Sequence, residues 1–86
     1  MMYHLFSLKQ CIKCNAVKEY IENREDIKII TFPHNIKEWQ DSEIKLAKEY
    51  DVFEDLQKTA PILVLDNKTK IIGQLRIIKW VKDNET

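Results

Sequence analysis

The two cysteines of this chain lie three positions apart, a spacing that lets one sulfur react with the other. They occur as Cys11-Ile12-Lys13-Cys14, where an apolar N-terminal run gives way to a helical pattern. Cα atoms three positions apart in a helix are about 5–5.5 Å from each other, within the range that a disulfide accepts. A Cys-x-x-Cys pair at a strand-to-helix junction in a small intracellular α/β chain is typical of thiol–disulfide exchange.

The expected place of Cys11 at the start of a helix favours its thiolate form. Free N–H groups of the first turn and the positive end of the helix dipole both stabilise a negatively charged sulfur. Lys9 and Lys13 flank the pair and act in the same direction. Cys14 comes one turn later, on the same side and less exposed. We therefore expect Cys11 to attack a substrate disulfide and Cys14 to resolve the mixed disulfide, with no tightly bound cofactor.

Two other uses of the cysteine pair compete with this one. A structural disulfide across so short a loop contributes about 2 kcal/mol, against about 3 kcal/mol for a fifteen-residue loop. A zinc site is the stronger competitor, because Cys11 and Cys14 have ligand spacing and His4 and His34 could complete four ligands. His4 falls in a predicted strand and His34 in a predicted loop, so we expect no metal site. A non-catalytic zinc-binding or interaction module stays open as the alternative function.

Composition and charge exclude several classes of protein. A chain of 86 residues with 44% hydrophobic content predicts one domain over residues 1–86. Fourteen basic residues balance fourteen acidic ones, so no basic excess favours nucleic acid. We find no apolar stretch of about 18 residues and no charged start of a secretory signal, and so expect no membrane partner. A cytoplasmic monomer is expected, and in that compartment paired cysteines are more often catalytic, redox-sensing or metal-binding than structural.

The elements that must position the pair alternate along the chain. Apolar runs predict strands at 3–8, 27–32, 62–65 and 70–72; the first is rich in aromatics and leucine, and the second in β-branched residues. Helical spacing predicts three helices, which begin at Ile12, at Asp41 or Ser42, and at Gln74. The segment 51–58 is polar and ambiguous between a further helical turn and a loop. The order β-α-β-α-β-β-α predicts an α/β fold, with a four-stranded mixed sheet and three helices packed on both faces.

The same spacing assigns apolar side chains of the first and last helices to the core. The first helix has one apolar face, formed by Ile12, Ala16, Val17, Tyr20 and Ile21. The last helix has one formed by Leu75, Ile78 and Val81. We expect all eight side chains to pack inward.

Three landmarks, taken in order, resemble those of the thioredoxin-fold redoxins, and most closely the small glutaredoxins, including those of bacteria and their phages. Cys11-Ile12-Lys13-Cys14 follows the first strand, Thr59-Ala60-Pro61 precedes the third, and Gly73 lies between the last strand and the last helix. The resemblance implies the thioredoxin fold over essentially the whole chain. It also implies a cis bond between Ala60 and Pro61. Thr59, Ala60 and Pro61 would then bind the substrate, with the Ala60 backbone pairing with an extended segment.

The resemblance further implies a dithiol–disulfide oxidoreductase that reduces protein disulfides, with a reduction potential between about −200 and −270 mV. A non-aromatic, polar-ended pair between the cysteines, here Ile12-Lys13, is similar to the glutaredoxin-like redoxins that donate electrons to ribonucleotide reductase. Those redoxins are typically recycled by thioredoxin reductase. Ile72-Gly73-Gln74-Leu75 has one glycine and no acidic cap where glutaredoxins hold glutathione, which argues against glutathione recognition. Thioredoxin reductase and glutathione both stay open as the electron donor.

Overall fold

The first strand, β1 (Tyr3–Leu8), is apolar on both faces because it lies inside the sheet. The computed structural model describes residues 2–84; Met1 and residues 85–86, the ends of the predicted domain, lie outside the described residues. β1 pairs in parallel with β2 (Ile27–Phe32) and antiparallel with β3 (Ile62–Val64). β4 (Lys70–Ile72) pairs antiparallel with β3, which gives the strand order β2-β1-β3-β4. The prediction of a four-stranded mixed sheet is confirmed.

Helices cover both faces of this sheet, as predicted. Within residues 2–84 the α-helices are α1 (Ile12–Ile21), α2 (Asp41–Glu49), α3 (Phe53–Lys58) and α4 (Gln74–Asp83). The helices α1 and α4 pack on the face that carries Leu5 and Leu63, whereas α2 and α3 pack on the face that carries Phe6 and Ile62. A short 3₁₀ turn precedes α2. Among the described residues, none of the helices is long and apolar enough to cross a membrane.

The structure has four α-helices where three were predicted, because the segment 51–58 is not a continuation of α2. Asp51 has a φ of 59°, which ends α2 in a left-handed residue. The N–H of Asp51 donates to the carbonyl of Lys48 at 3.1 Å, and that of Val52 donates to Ala47 at 2.8 Å. These two bonds form a Schellman cap, and its usual apolar contact is supplied by the buried Val52 and Ala47. The chain therefore turns before α3 begins.

Three of the eight side chains assigned to the core are instead exposed. Ile12 is 87% exposed, Leu75 is 80% exposed and Tyr20 is 47% exposed. The first buried residue of α1 is Cys14 and that of α4 is Ile77. Ile12 and Leu75 each lie two positions before it, which rotates them by about 200° to the opposite side of the helix. Tyr20 lies one position before the buried Ile21, about 100° around the helix, and so falls at the border of the buried face.

The strand directions bring four segments of the chain to one edge of the sheet. Because β1, β2 and β4 run in parallel, their C-terminal ends lie at the same edge, and β3 begins there. Cys11 follows β1, residues 33–40 follow β2, residues 59–61 precede β3, and Gly73 follows β4. All the residues predicted to act on a substrate therefore lie at this one edge.

Candidate active site

Cys11 occupies the N-cap of α1, and its sulfur serves as the cap. Its backbone is extended (φ −114°, ψ 110°), and its Sγ accepts a hydrogen bond from the backbone N–H of Cys14 at 3.2 Å. Gln10, with a φ of 58°, turns the chain from β1 into this position. An N–H group at a helix N-terminus interacts more favourably with a thiolate than with a neutral thiol. The local geometry therefore suits Cys11 to nucleophilic chemistry.

Cys14 lies in a different environment, although it is only one helical turn away. Its side chain is fully buried, whereas Cys11 is half-buried, and both are free thiols. Burial raises the pKa of the Cys14 thiol from its ordinary value of 9.0 to about 12, and its hydrogen bond to Cys11 acts in the same direction. A backbone hydrogen bond from Leu8 and the charge of Lys18 lower this pKa by smaller amounts. The pair therefore combines an accessible sulfur with a buried thiol that holds its proton.

Lys9 and Lys13, the two residues predicted to stabilise the thiolate, are exposed on either side of Cys11. Lys13 lies in the first turn of α1, and Lys9 extends the pairing of β1 through its N–H, which donates to the carbonyl of Phe32 at 2.9 Å. Neither ammonium group forms a salt bridge within residues 2–84. Their effect on Cys11 stays a prediction.

The segment Thr59-Ala60-Pro61 lies beside the end of β1. The Ala60–Pro61 bond is cis, as the resemblance implies. Pro61 is buried, and its carbonyl accepts the N–H of Gly73 at 3.0 Å. The register of β1 and β3 pairs Phe6 with Ile62, so its continuation brings Ala60 next to the end of β1. The backbone of Ala60 has no hydrogen bond within the described part of the chain, so it is available to pair with another segment.

A polar chain beneath Cys14 was not found from the sequence. Ser7 is fully buried, and its Oγ lies 2.9 Å from Oγ1 of Thr31 on the neighbouring strand. The Nζ of Lys18 donates to the same Thr31 Oγ1 at 3.2 Å. Lys18 follows Cys14 by four positions, so the two residues share a side of α1. This four-residue spacing is the feature of the sequence from which the contact could have been predicted. It places a cation where its charge can act on the buried Cys14 thiol.

Two hollows flank the segment that carries Cys11. The β2-side hollow, of about 370 Å³, is bounded by the end of β1, the loop after β2 and residues 56–60. Trp39 contributes to its wall and is fixed by a hydrogen bond from its Nε1 to the carbonyl of Pro33 at 2.7 Å. The α4-side hollow, of about 310 Å³, is bounded by Lys13 and by residues 72–76. Leu8 lines the first hollow and Lys13 the second, so the two hollows border the chain before and after Cys11.

The two histidines that could complete a zinc site lie toward opposite edges of the sheet. His4 lies near the start of β1, where its ring packs against Tyr50 with centroids 4.8 Å apart. A strand rises about 3.3 Å per residue, so about 13 Å of β1 separates His4 from Leu8. His34 is an exposed residue in the loop after β2. Within residues 2–84, no three His, Cys, Asp or Glu side chains are grouped so that they could hold a metal ion.

The chemistry available at this edge of the sheet follows from the different environments of Cys11 and Cys14. An accessible sulfur at a helix N-terminus can attack a disulfide, and a buried thiol in contact with it can displace what it captures. No protein-family model, curated protein or solved structure matches the chain. The residues therefore define a candidate dithiol site in a small α/β protein.

Proposed function

We propose that this protein is a dithiol–disulfide oxidoreductase with the thioredoxin fold, which reduces disulfides in other proteins in the cytoplasm. One observation carries the proposal: Cys11 caps a helix and is accessible, while Cys14 is fully buried and its thiol has a pKa raised to about 12. The strand order β2-β1-β3-β4 supports the fold assignment, as does the place of the dithiol between β1 and α1.

The first step forms a bond between Cys11 and the substrate. The Cys11 thiolate attacks one sulfur of the substrate disulfide, the substrate S–S bond breaks, and a mixed disulfide forms. The departing substrate thiolate takes a proton from solvent. The unpaired backbone of Ala60 is the group best situated to hold an extended substrate segment during this attack.

The second step releases the reduced substrate. Cys14 loses its proton and attacks the sulfur of Cys11, so that the Cys11–Cys14 disulfide forms and the second substrate thiolate leaves. Two electrons pass from the dithiol to the substrate. The raised pKa of Cys14 makes deprotonation of its thiol the demanding part of this step. Return to the dithiol requires a reductant, for which thioredoxin reductase and glutathione are the two candidates.

An insulin-reduction assay with dithiothreitol as the reductant tests the proposal. We expect turnover by the wild-type chain and none by Cys11→Ser. With a disulfide-containing substrate protein, Cys14→Ser should accumulate a covalent adduct through Cys11, visible by mass spectrometry and reversed by excess dithiothreitol. An adduct formed by Cys11→Ser in its place would reverse the two roles.

Metal analysis of the same preparation tests the alternative function. Turnover by protein free of metal supports the oxidoreductase. One zinc ion per chain without turnover would contradict it and favour the non-catalytic module. Comparing thioredoxin reductase with glutathione as the reductant then identifies the donor, and efficient turnover with glutathione would overturn the interpretation of the Gly73 region.

A further inference from the structure

Basic side chains surround the dithiol on both sides. Lys13 and Arg76 line the α4-side hollow, and Lys58 lines the β2-side hollow. Lys9 precedes Cys11 by two positions, and all four residues are exposed. Within residues 2–84, no Asp or Glu lines either hollow. The immediate surroundings of Cys11 are therefore positively charged.

These four cations have no carboxylate partner, as is also true of most other lysines in the described part of the chain, and Lys70 is an exception. Within the described residues, none of the four lies within 4.0 Å of a carboxylate, whereas Lys70 contacts Asp55 at 2.7 Å and Asp51 at 3.2 Å. Lys70 begins β4 and so lies at the edge of the sheet opposite to Cys11. Since the whole chain has zero net charge, the basic character of the dithiol edge reflects a separation of charge within the molecule.

Exposed apolar side chains occupy the same edge. Ile12 and Leu75, the two most exposed large hydrophobic residues in the described part of the chain, lie in the first turns of α1 and α4. Leu75 also borders the α4-side hollow, together with Lys13. Exposed apolar groups ringed by unpaired charges are typical of a surface that meets a partner.

We propose that this surface docks an acidic, extended polypeptide segment that carries the substrate disulfide. We call it the basic edge and define it as Lys9, Ile12, Lys13, Lys58, Leu75 and Arg76. The proposal names the substrate class of the dithiol site and therefore rests on the proposed function. Carboxylates of the segment face the four cations, and one apolar side chain contacts Ile12 or Leu75. The occupant is extended because Leu8 lines one hollow and Lys13 the other, so a segment that reaches both hollows must span the residues that carry Cys11.

Charge complementarity of this kind acts mainly on the rate of encounter. Opposite potentials raise association rates by about 10- to 1000-fold at low salt, and the gain falls as ionic strength rises. The basic edge should therefore raise kcat/KM for an acidic substrate, and this increase should fall strongly as the salt concentration rises. A basic substrate with the same disulfide should react more slowly and gain from added salt.

The test uses two disulfide-bridged peptides of identical length, one flanked by glutamates and one by lysines. The full-length chain, kept reduced by dithiothreitol, is assayed with each peptide at low and at high ionic strength. We expect kcat/KM to favour the acidic peptide by about tenfold or more at low salt, and the ratio to approach one at high salt. The double variant Lys58→Gln/Arg76→Gln should bring the low-salt ratio close to one. The matched control, Lys45→Gln/Lys79→Gln, removes two exposed lysines outside the basic edge and should keep the wild-type ratio.

The results that would overturn acidic docking differ from those that would overturn the oxidoreductase function. Equal rates for the two peptides at both salt concentrations would overturn acidic docking and leave the oxidoreductase function intact. Reduction of neither peptide would overturn both. A labelled oligonucleotide that binds the edge more tightly than the acidic peptide would also overturn the proposal, because the cations would then serve a nucleic acid. The double variant Ile12→Ser/Leu75→Ser tests the apolar contact: it should abolish the preference for an acidic peptide with a leucine over one with a serine, and an unchanged preference would overturn that contact.

Discussion

At the scale of single residues, the site depends on a difference between two identical side chains. Cys11 and Cys14 are separated by one helical turn, yet Cys11 is partly exposed and Cys14 is fully buried. Burial raises the pKa of Cys14 to about 12, and Lys18 is the side chain whose charge opposes this rise. Thr31 holds the Lys18 ammonium at 3.2 Å. Lys18 is therefore positioned to affect the second step of exchange and not the first.

Replacing Lys18 by methionine tests this division. Loss of the cation should raise the pKa of Cys14 further, so that less thiolate is present to attack the mixed disulfide. We expect the release step to slow by no more than about threefold at pH 7, because the charge of Lys18 is the smallest of the causes that shift this pKa and the thiolate fraction falls tenfold for each full unit of pKa. The rate of the first attack by Cys11 should change little. Acid quenching and mass spectrometry during turnover measure the fraction of enzyme held as the mixed disulfide.

Two control variants test whether the effect of Lys18→Met comes from the loss of a positive charge at this position. Lys18→Arg keeps the charge and should retain most of the wild-type release rate. Lys45→Met removes an exposed lysine of α2 and should leave the mixed-disulfide fraction as it is in the wild type. If Lys18→Met and wild type accumulate the same fraction at every pH between 6 and 9, Lys18 has no part in the release step.

At the scale of elements, Gly73 joins the last strand, the last helix and the proline segment. It follows β4, occupies the N-cap of α4, and donates its N–H to the carbonyl of Pro61 at 3.0 Å. Its backbone angles, φ 99° and ψ 152°, belong to a region that residues with a Cβ rarely adopt. A Cβ at this position would meet no atom within 4 Å, so the requirement for glycine comes from the backbone alone.

Gly73→Ala is therefore expected to destabilise the protein without a steric clash. The cost of the backbone conformation is about 1–3 kcal/mol. Urea unfolding should show a lower midpoint with an unchanged slope, and Gln74→Ala, one position later in the helix, serves as the control. If Gly73→Ala unfolds at the wild-type urea concentration, the strain argument fails.

The bounds of the elements were predictable from sequence wherever the pattern was local. The strands β1 and β2 match their predicted ranges because each is a continuous apolar or β-branched run. The break at Asp51 was not predictable, since aspartate tolerates the left-handed φ of 59° but adopts it at only a small fraction of its positions. The polar chain of Ser7, Thr31 and Lys18 depends on the parallel register that pairs Ser7 with Thr31. A one-residue slip would separate that pair, and the sequence alone does not state the register.

At the scale of the whole molecule, a few perturbed groups set the pH range of greatest stability. Burial, followed by the charge of Lys28, lowers the pKa of His4 below 6.5, so protonation disfavours the fold as the pH falls through that value. The raised pKa of Cys14 affects the stability of the fold at alkaline pH. Its contribution is fully present below pH 9.0, the ordinary pKa of the thiol, and is lost as the pH rises toward about 12. The hydrogen bond from Lys70 to Asp55 raises the pKa of Lys70, so its contribution is also lost at high pH.

The free energy of unfolding of the reduced protein should therefore be greatest between about pH 7 and pH 9 and should decline on both sides. Urea titrations from pH 5 to pH 11 with a non-thiol reductant measure this profile. Cys14→Ser is less stable at every pH because it buries a hydroxyl, but its decline above pH 9 should be shallower, since the serine does not ionise in this range. His4→Gln should reduce only the decline of the free energy of unfolding below about pH 7, and should leave the alkaline decline unchanged. The same alkaline slope in Cys14→Ser and wild type would mean that the Cys14 thiol is not held protonated by the fold, and the inequality of the two sulfurs, on which the exchange mechanism depends, would have to be abandoned.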